Sequence, residues 1–287
     1  MTSPREIINH YGIKPRKNLG QSFLMDENII KRIARTSNVT ENDTVVEIGA
    51  GIGVLTECLA QNAAEVIAVE LDDNLVDVLK DRLSQYKNVQ IHHGNILRFD
   101  FKAIAAAKRR KIKIVGNIPY NISSPVLFYL LSNRKIIDSF VLMMQKEVVQ
   151  RLVAFPGCKS YGVPSVILQM FAAVEKVLDV PASVFYPRPK VESAVIKGSF
   201  REKSLTELTD EWFFIKLVRD SFAQRRKMLI NNLKKSKLLD DVSESFLKEA
   251  LISAGIDYQR RGETLSVEEF GLLSNILKRG IKKEYNV

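Results

Sequence analysis

The chain has 287 residues, 46% hydrophobic and 26% charged, enough for one large globular domain or a large and a small one. No apolar run approaches the ~20 residues that span a bilayer. The stretch up to Lys17 lacks the apolar core of a secretory signal, and Cys58 and Cys158, far apart and without metal-ligand spacing, read as small buried side chains of a reducing cytosol. Lys+Arg 43 against Asp+Glu 33 gives a net charge of +10, and that surplus favours a polyanionic partner, nucleic acid ahead of an acidic membrane surface.

Through the first half, strand-like apolar runs alternate with helical spacing. Strands are expected at Thr44–Ile48, Glu65–Leu71, Val89–His92, Ile112–Gly116 and Phe140–Met144, with helices at Val54–Gln61 and Asn74–Tyr86. That alternation predicts an α/β fold, a mostly parallel sheet covered on both faces. Val174–Val180 and Ser193–Phe200 are extended and β-branched, and can add an antiparallel extension. Beyond Glu202 the spacing becomes helical at Glu211–Phe222, Gln224–Leu233, Ser243–Ala254 and Ser266–Leu277, with Ser243 and Ser266 as N-caps. The expected division is a catalytic domain over 1–202 and a small helical domain over 203–287.

Two segments carry chemistry. The first is Glu47-Ile48-Gly49-Ala50-Gly51-Ile52-Gly53, where glycines at alternate positions follow a strand and open a helix. Such glycines let backbone approach a ligand that side chains would block. The next strand ends at Glu70, placed about 20 residues on to accept hydrogen bonds from a ribose diol. A nicotinamide fingerprint wants glycine or alanine where this chain has Val54, so the spacing suits an aminoacyl nucleoside, S-adenosylmethionine, better than a pyrophosphate. Asn95 stands after the third strand, where it can read an adenine amino group.

The second segment is Asn117-Ile118-Pro119-Tyr120, at the tip of the fourth strand. An adenine exocyclic amine is neutral and needs positioning more than a base. Two acceptors on its N–H bonds, the Asn117 side-chain oxygen and the Ile118 carbonyl, would aim its lone pair at a methyl group. Pro119 stiffens the backbone, Tyr120 can stack on the base, and Phe185, in a proline-rich loop, is expected to form the opposite wall.

With these residues in view, the chain resembles the small-subunit ribosomal RNA adenine dimethyltransferases over nearly its whole length. The motifs carrying the likeness are Leu19 to Leu24, Glu47 to Gly53, Asn117 to Tyr120, Phe185 to Val195 and Ser221 to Lys227, in that order. The resemblance implies a Rossmann-like methyltransferase domain and dimethylation of two adjacent adenosines in a hairpin loop near the 3′ end of 16S rRNA, on the small subunit or its precursor. It implies that Gln21, Ser22 and Leu24 cover the cofactor, that Gly49 and Gly51 approach it, and that Glu70 holds its ribose. Asn117 would meet the target amine between Tyr120 and Phe185, and Arg225, Arg226 and Lys227 would grip RNA. Ser22 stands where the family often has Asn or His, and Asn95 where it usually has Asp.

Two other functions fit parts of the pattern. A large-subunit rRNA adenine methyltransferase shares the first domain's logic, although Gln224 to Lys227 and Tyr161-Gly162-Val163 favour the small-subunit group. A noncatalytic ribosome-assembly factor would tolerate loss of Asn117 or the glycines. Among basic clusters, Lys108 to Lys111 either grips phosphates or is solvated, while Lys234-Lys235 and Lys282-Lys283 read as solvated.

Overall fold

Strand β2 (Thr44–Ile48) is buried at every position, a pattern that requires cover on both faces of a sheet. The structure, a computed structural model, describes residues 2–240 and 242–284, the side chains of 282–284 (and so Lys282-Lys283) lying outside that description. In chain order the other strands are β1 (Phe23–Leu24), β3 (Glu65–Glu70), β4 (Val89–His93), β5 (Ile112–Asn117), β6 (Ile137–Gln145), β7 (Ala172–Val180), β8 (Phe185–Tyr186) and β9 (Ser193–Phe200). Seven of them form one sheet in the order β4-β3-β2-β5-β6-β9-β7, and β1 pairs with β8 alone. The pairs among β2 to β6 are parallel, and β9 runs antiparallel to β6.

That order creates a switch point. From β2 the chain winds outward through β3 and β4, then returns to lay β5 on the opposite edge of β2. The loops leaving the C-terminal ends of β2 and β5 therefore diverge and open a crevice between them. The strands come close there: Ile48 stands beside Gly116, and a Cβ on Gly116 would lie 2.6 Å from the Ile48 carbonyl oxygen. Only glycine fits.

Helices α1 (Pro4–His10), α2 (Glu27–Thr36), α3 (Val54–Ala60), α4 (Asp73–Arg82), α5 (Phe101–Lys108), α6 (Ser123–Ser132), α7 (Lys146–Leu152) and α8 (Val163–Phe171) punctuate the strands. Asp26, Asp72 and Asp100 cap α2, α4 and α5 by accepting backbone N–H groups. The sheet's core joins Ile33 and Leu59 to Val45, Val66, Val115, Val141, Met143 and Val195.

Two compact units emerge: Met1–Val149 with Val174–Phe200, and Gln150–Ala173 with Arg201–Val287. The cut expected near 202 falls close to Phe200, but 150–173, placed in the first domain from sequence, packs with the helical unit. That unit holds α9 (Glu211–Ser221), α10 (Leu229–Leu233), α11 (Glu244–Ser253) and α12 (Val267–Glu284) around Phe214, Leu217, Leu233, Leu251, Phe270 and Leu273. Ser243 and Ser266 cap their helices as expected, Ser266 in reciprocal hydrogen bonds with Glu269. The helix expected over 224–233 begins only at Leu229. The Asn232 side chain takes the carbonyls of Ser221 and Gln224 at 2.8 and 3.2 Å, and these bonds hold the preceding segment as turns. Among the described residues, no helix is long and apolar enough to cross a membrane.

Candidate active site

The crevice at the switch point is a cleft of about 910 Å³, a volume that includes open solvent at its mouth. Gln21, Ser22, Gly49, Gly51, Glu70, Asn95, Asn117, Ile118, Pro119 and Tyr120 all line it. Residues from five separate stretches of chain thus meet in one place.

One wall is the glycine loop. Gly51 has a φ of +59°, and its N–H donates to Glu70 Oε2 at 2.8 Å. Glu70 Oε1 accepts from the Leu71 and Asp72 N–H groups at 2.8 and 3.0 Å. Burial pushes the Glu70 carboxyl above its usual range, against the pull of these N–H bonds. Glu70 therefore clamps the glycine loop to the end of β3, and its Oε2 keeps one further lone pair for a ligand hydroxyl. Asn95 is exposed at the rim, and its side-chain oxygen already caps a helical turn by accepting from Leu97 N at 3.0 Å.

The cover comes from the segment before β1. Gln21 donates to Asp72 at 2.6 Å and accepts from the Arg16 N–H at 2.7 Å. Asp72 is buried and also pairs with the Arg16 guanidinium at 2.9 Å. Ser22 Oγ donates to the Pro187 carbonyl at 2.8 Å, and Phe23 and Leu24 pair with Tyr186 and Phe185. The cover is thereby stitched to the distant proline-rich loop.

The far corner is the tip of β5. Asn117 Nδ2 donates to the Ser22 carbonyl at 3.1 Å, so the amide orientation is set and Oδ1 is left, among the described residues, as a free acceptor. The Ile118 N–H donates to Met143 O, which leaves Ile118 fixed and buried. Tyr120 makes a 2.6 Å hydroxyl contact with Ser193, and burial raises its pKa. Behind the glycine loop, a smaller cavity is lined by Leu24, Glu47, Gly49, Gly51, Asn117 and Met143. Glu47 is 1% exposed there, its Oε2 has no hydrogen-bond partner among the described residues, and burial pushes its carboxyl to about 8.

Several expected site residues stand elsewhere. Leu24 lines the smaller cavity rather than the cleft. Phe185, expected to wall the base, is 5% exposed and packed in the sheet core, because pairing with Leu24 turns its ring inward while neighbouring Tyr186 stays exposed. In the helical unit, the Arg225 guanidinium is engaged by Glu263 and the carbonyls of Cys158 and Lys159. Arg226 and Lys227 are exposed and, among the described residues, have no ion-pair partner. Cys58 is buried as expected, but Cys158 is exposed. The residues missed from sequence are Asp72 and Ser193. Asp72 carried a signal as an acidic residue just before a helical run, whereas nothing local joined Ser193 to Tyr120.

Comparisons with known proteins agree with this arrangement. A family model described as ribosomal RNA adenine dimethylase matches residues 12–277. The ribosomal RNA small subunit methyltransferase A of Syntrophus aciditrophicus is 45% identical, over 96% of this chain and 99% of its own length. That of Listeria monocytogenes (serotype 4a) is 44% identical, over 97% and 96% respectively. Among solved structures, a dimethyladenosine transferase from Plasmodium falciparum matches with a TM-score of 0.79 at 28% identity, over 91% of this chain and 98% of that one. A 23S rRNA methyltransferase, ErmE, matches at 0.70 and 25% identity, over 89% and 99%. The chain belongs to the ribosomal RNA adenine dimethylase family.

Proposed function

We propose that this protein transfers methyl groups from S-adenosylmethionine to the exocyclic amines of two adjacent adenosines in a hairpin loop near the 3′ end of 16S rRNA, on immature small-subunit particles in the cytoplasm. The observation that carries this reading is the free Asn117 Oδ1 at the tip of β5, oriented by the bond from Nδ2 to Ser22. Identity of 45% to a small-subunit methyltransferase, against 25% to a 23S enzyme, favours the small subunit over the large.

The cleft suits the cofactor: backbone exposed at Gly49 and Gly51, a carboxylate at Glu70, and apolar Leu71 and Ile96 near Asn95. When bound, S-adenosylmethionine supplies an electrophilic methyl on a sulfonium, an excellent leaving group. Asn117 Oδ1 and the Ile118 carbonyl accept the two amine N–H bonds and turn the nitrogen's lone pair outward. Tyr120, braced by Ser193, offers a ring face to the base. As the new N–C bond forms, the nitrogen becomes positively charged and releases one proton to water, a loss the same hydrogen-bond acceptors ease. Gln21, tied to Asp72, keeps the cover over the glycine loop. The helical unit, with Arg226 and Lys227 exposed, docks the substrate.

Methyl incorporation into naked 16S rRNA, into unmodified 30S particles and into 50S particles, with the labelled nucleotides mapped, tests the reading. Labelling of paired adenosines in 30S particles is expected. Preferential labelling of 50S would overturn the assignment, and equal labelling of naked rRNA would overturn the particle preference alone.

A further inference from the structure

The helical unit carries a second surface that the methyl-transfer site does not use. The chain's single tryptophan, Trp212, is 61% exposed in the first turn of α9, although its neighbours Phe213 and Phe214 are buried. It borders a groove whose lining includes the charged Lys216, Asp220, Lys235 and Lys237 and the apolar Ala223 and Leu238. Lys216, one helical turn along, brings its ammonium within 5.9 Å of the indole centroid. The floor is held by internal hydrogen bonds: Asp220 accepts from Ser236 Oγ, and the Asn232 amide is committed to the carbonyls of Ser221 and Gln224.

Charge singles out the occupant. Lys216, Lys235 and Lys237 are exposed and, among the described residues, have no carboxylate partner, whereas Lys234 next door pairs with Glu244. The one carboxylate of the groove, Asp220, faces a hydroxyl. An exposed indole with one ammonium against its face and two more lysines along the same groove suits a ligand offering flat π-faces and phosphates along one strand. A protein partner would more often meet an aromatic anchor within an apolar patch.

We propose that this groove binds single-stranded RNA, stacking a base on Trp212 and placing flanking phosphates on Lys216, Lys235 and Lys237. The inference rests on the reading of RNA as substrate and specifies where the helical unit holds it. The site is sequence-tolerant, since every base has a π-face and the lysines contact backbone.

The single tryptophan makes the test local. The full chain is titrated with a labelled single-stranded oligoribonucleotide of roughly ten nucleotides, following label anisotropy and tryptophan emission together. Duplex RNA and inorganic tripolyphosphate serve as controls. Emission should be quenched in step with anisotropy by single-stranded RNA, and far less by either control. Trp212→Ala should weaken binding about tenfold and Trp212→Phe much less. The double change Lys235→Gln with Lys237→Gln should lower the slope of log affinity against log salt by about 1.4. Anisotropy change without quenching, equal quenching by tripolyphosphate, or unchanged affinity in Trp212→Ala would each overturn the proposal. Methylation of 30S particles by the unaltered chain is measured in parallel. If it proceeds without tryptophan quenching, only the groove is refuted; if it is absent, the substrate reading fails instead.

Discussion

Replacing Glu47 by glutamine should change how stability depends on pH. Glu47 is almost fully buried, and burial moves its carboxyl from an ordinary 4.5 to about 8. The folded chain therefore keeps this proton up to about pH 8, while the unfolded chain releases it from pH 4.5 upward. The folded-state pKa is raised, so the stabilisation is fully present below 4.5 and is lost as pH rises through 8. Each pH unit in that window costs about 1.4 kcal/mol, and the whole window on the order of 5 kcal/mol. Glutamine has nearly the same shape and no proton to lose. In urea denaturation at several pH values, Glu47→Gln should gain on the parent by about 1.4 kcal/mol per pH unit across that window. Other titrating groups, present in both proteins, largely cancel in the difference, apart from Glu70, whose charge helps raise Glu47 and whose own titration shifts when Glu47 is replaced. Parallel stability curves would refute the claim that Glu47 is held neutral behind the glycine loop.

Other substitutions separate the roles of the site residues. Asn117→Ala should lower turnover about a hundredfold while cofactor affinity, measured by calorimetry, changes little; a loss mainly in cofactor affinity would contradict the free-acceptor role. Glu70→Ala should chiefly weaken cofactor binding, because it removes both a diol acceptor and the clamp on Gly51; unchanged affinity would refute that. Phe185→Ala should cost about 3–5 kcal/mol of unfolding free energy as a core truncation, and a normal melting curve with lost activity would restore a stacking role. Arg225→Gln should lower thermal stability, whereas Arg226→Gln with Lys227→Gln should weaken rRNA binding with little change in melting temperature. The reverse pattern would overturn the distinction drawn between them.

The central sheet was legible because β2, β3 and β5 are short runs rich in β-branched residues, and β6 carries the apolar run Phe140–Met144. Helix α6 escaped notice, since Ser123–Ser132 is apolar on nearly every face and shows no period. The early part of the 224–233 helix was wrongly expected because tertiary bonds from Asn232 outweigh local helical spacing. At the site, Glu70 and Asn117 could be found from their places at strand ends, where parallel sheets present ligands. The inward turn of Phe185 could not. A ring beside prolines reads the same whether it faces solvent or core, and only pairing with Leu24 decides.

The stitch between Ser22 and Pro187 spans 165 residues of chain. A contact so distant in sequence is entropically slow to form and rewards the chain only after the intervening sheet has assembled. During synthesis, the glycine loop and the β5 tip can emerge and begin to fold well before the cover has anything to fasten to. The Ser22 carbonyl that orients Asn117 thus belongs to a segment fastened by chain far downstream of the site it serves.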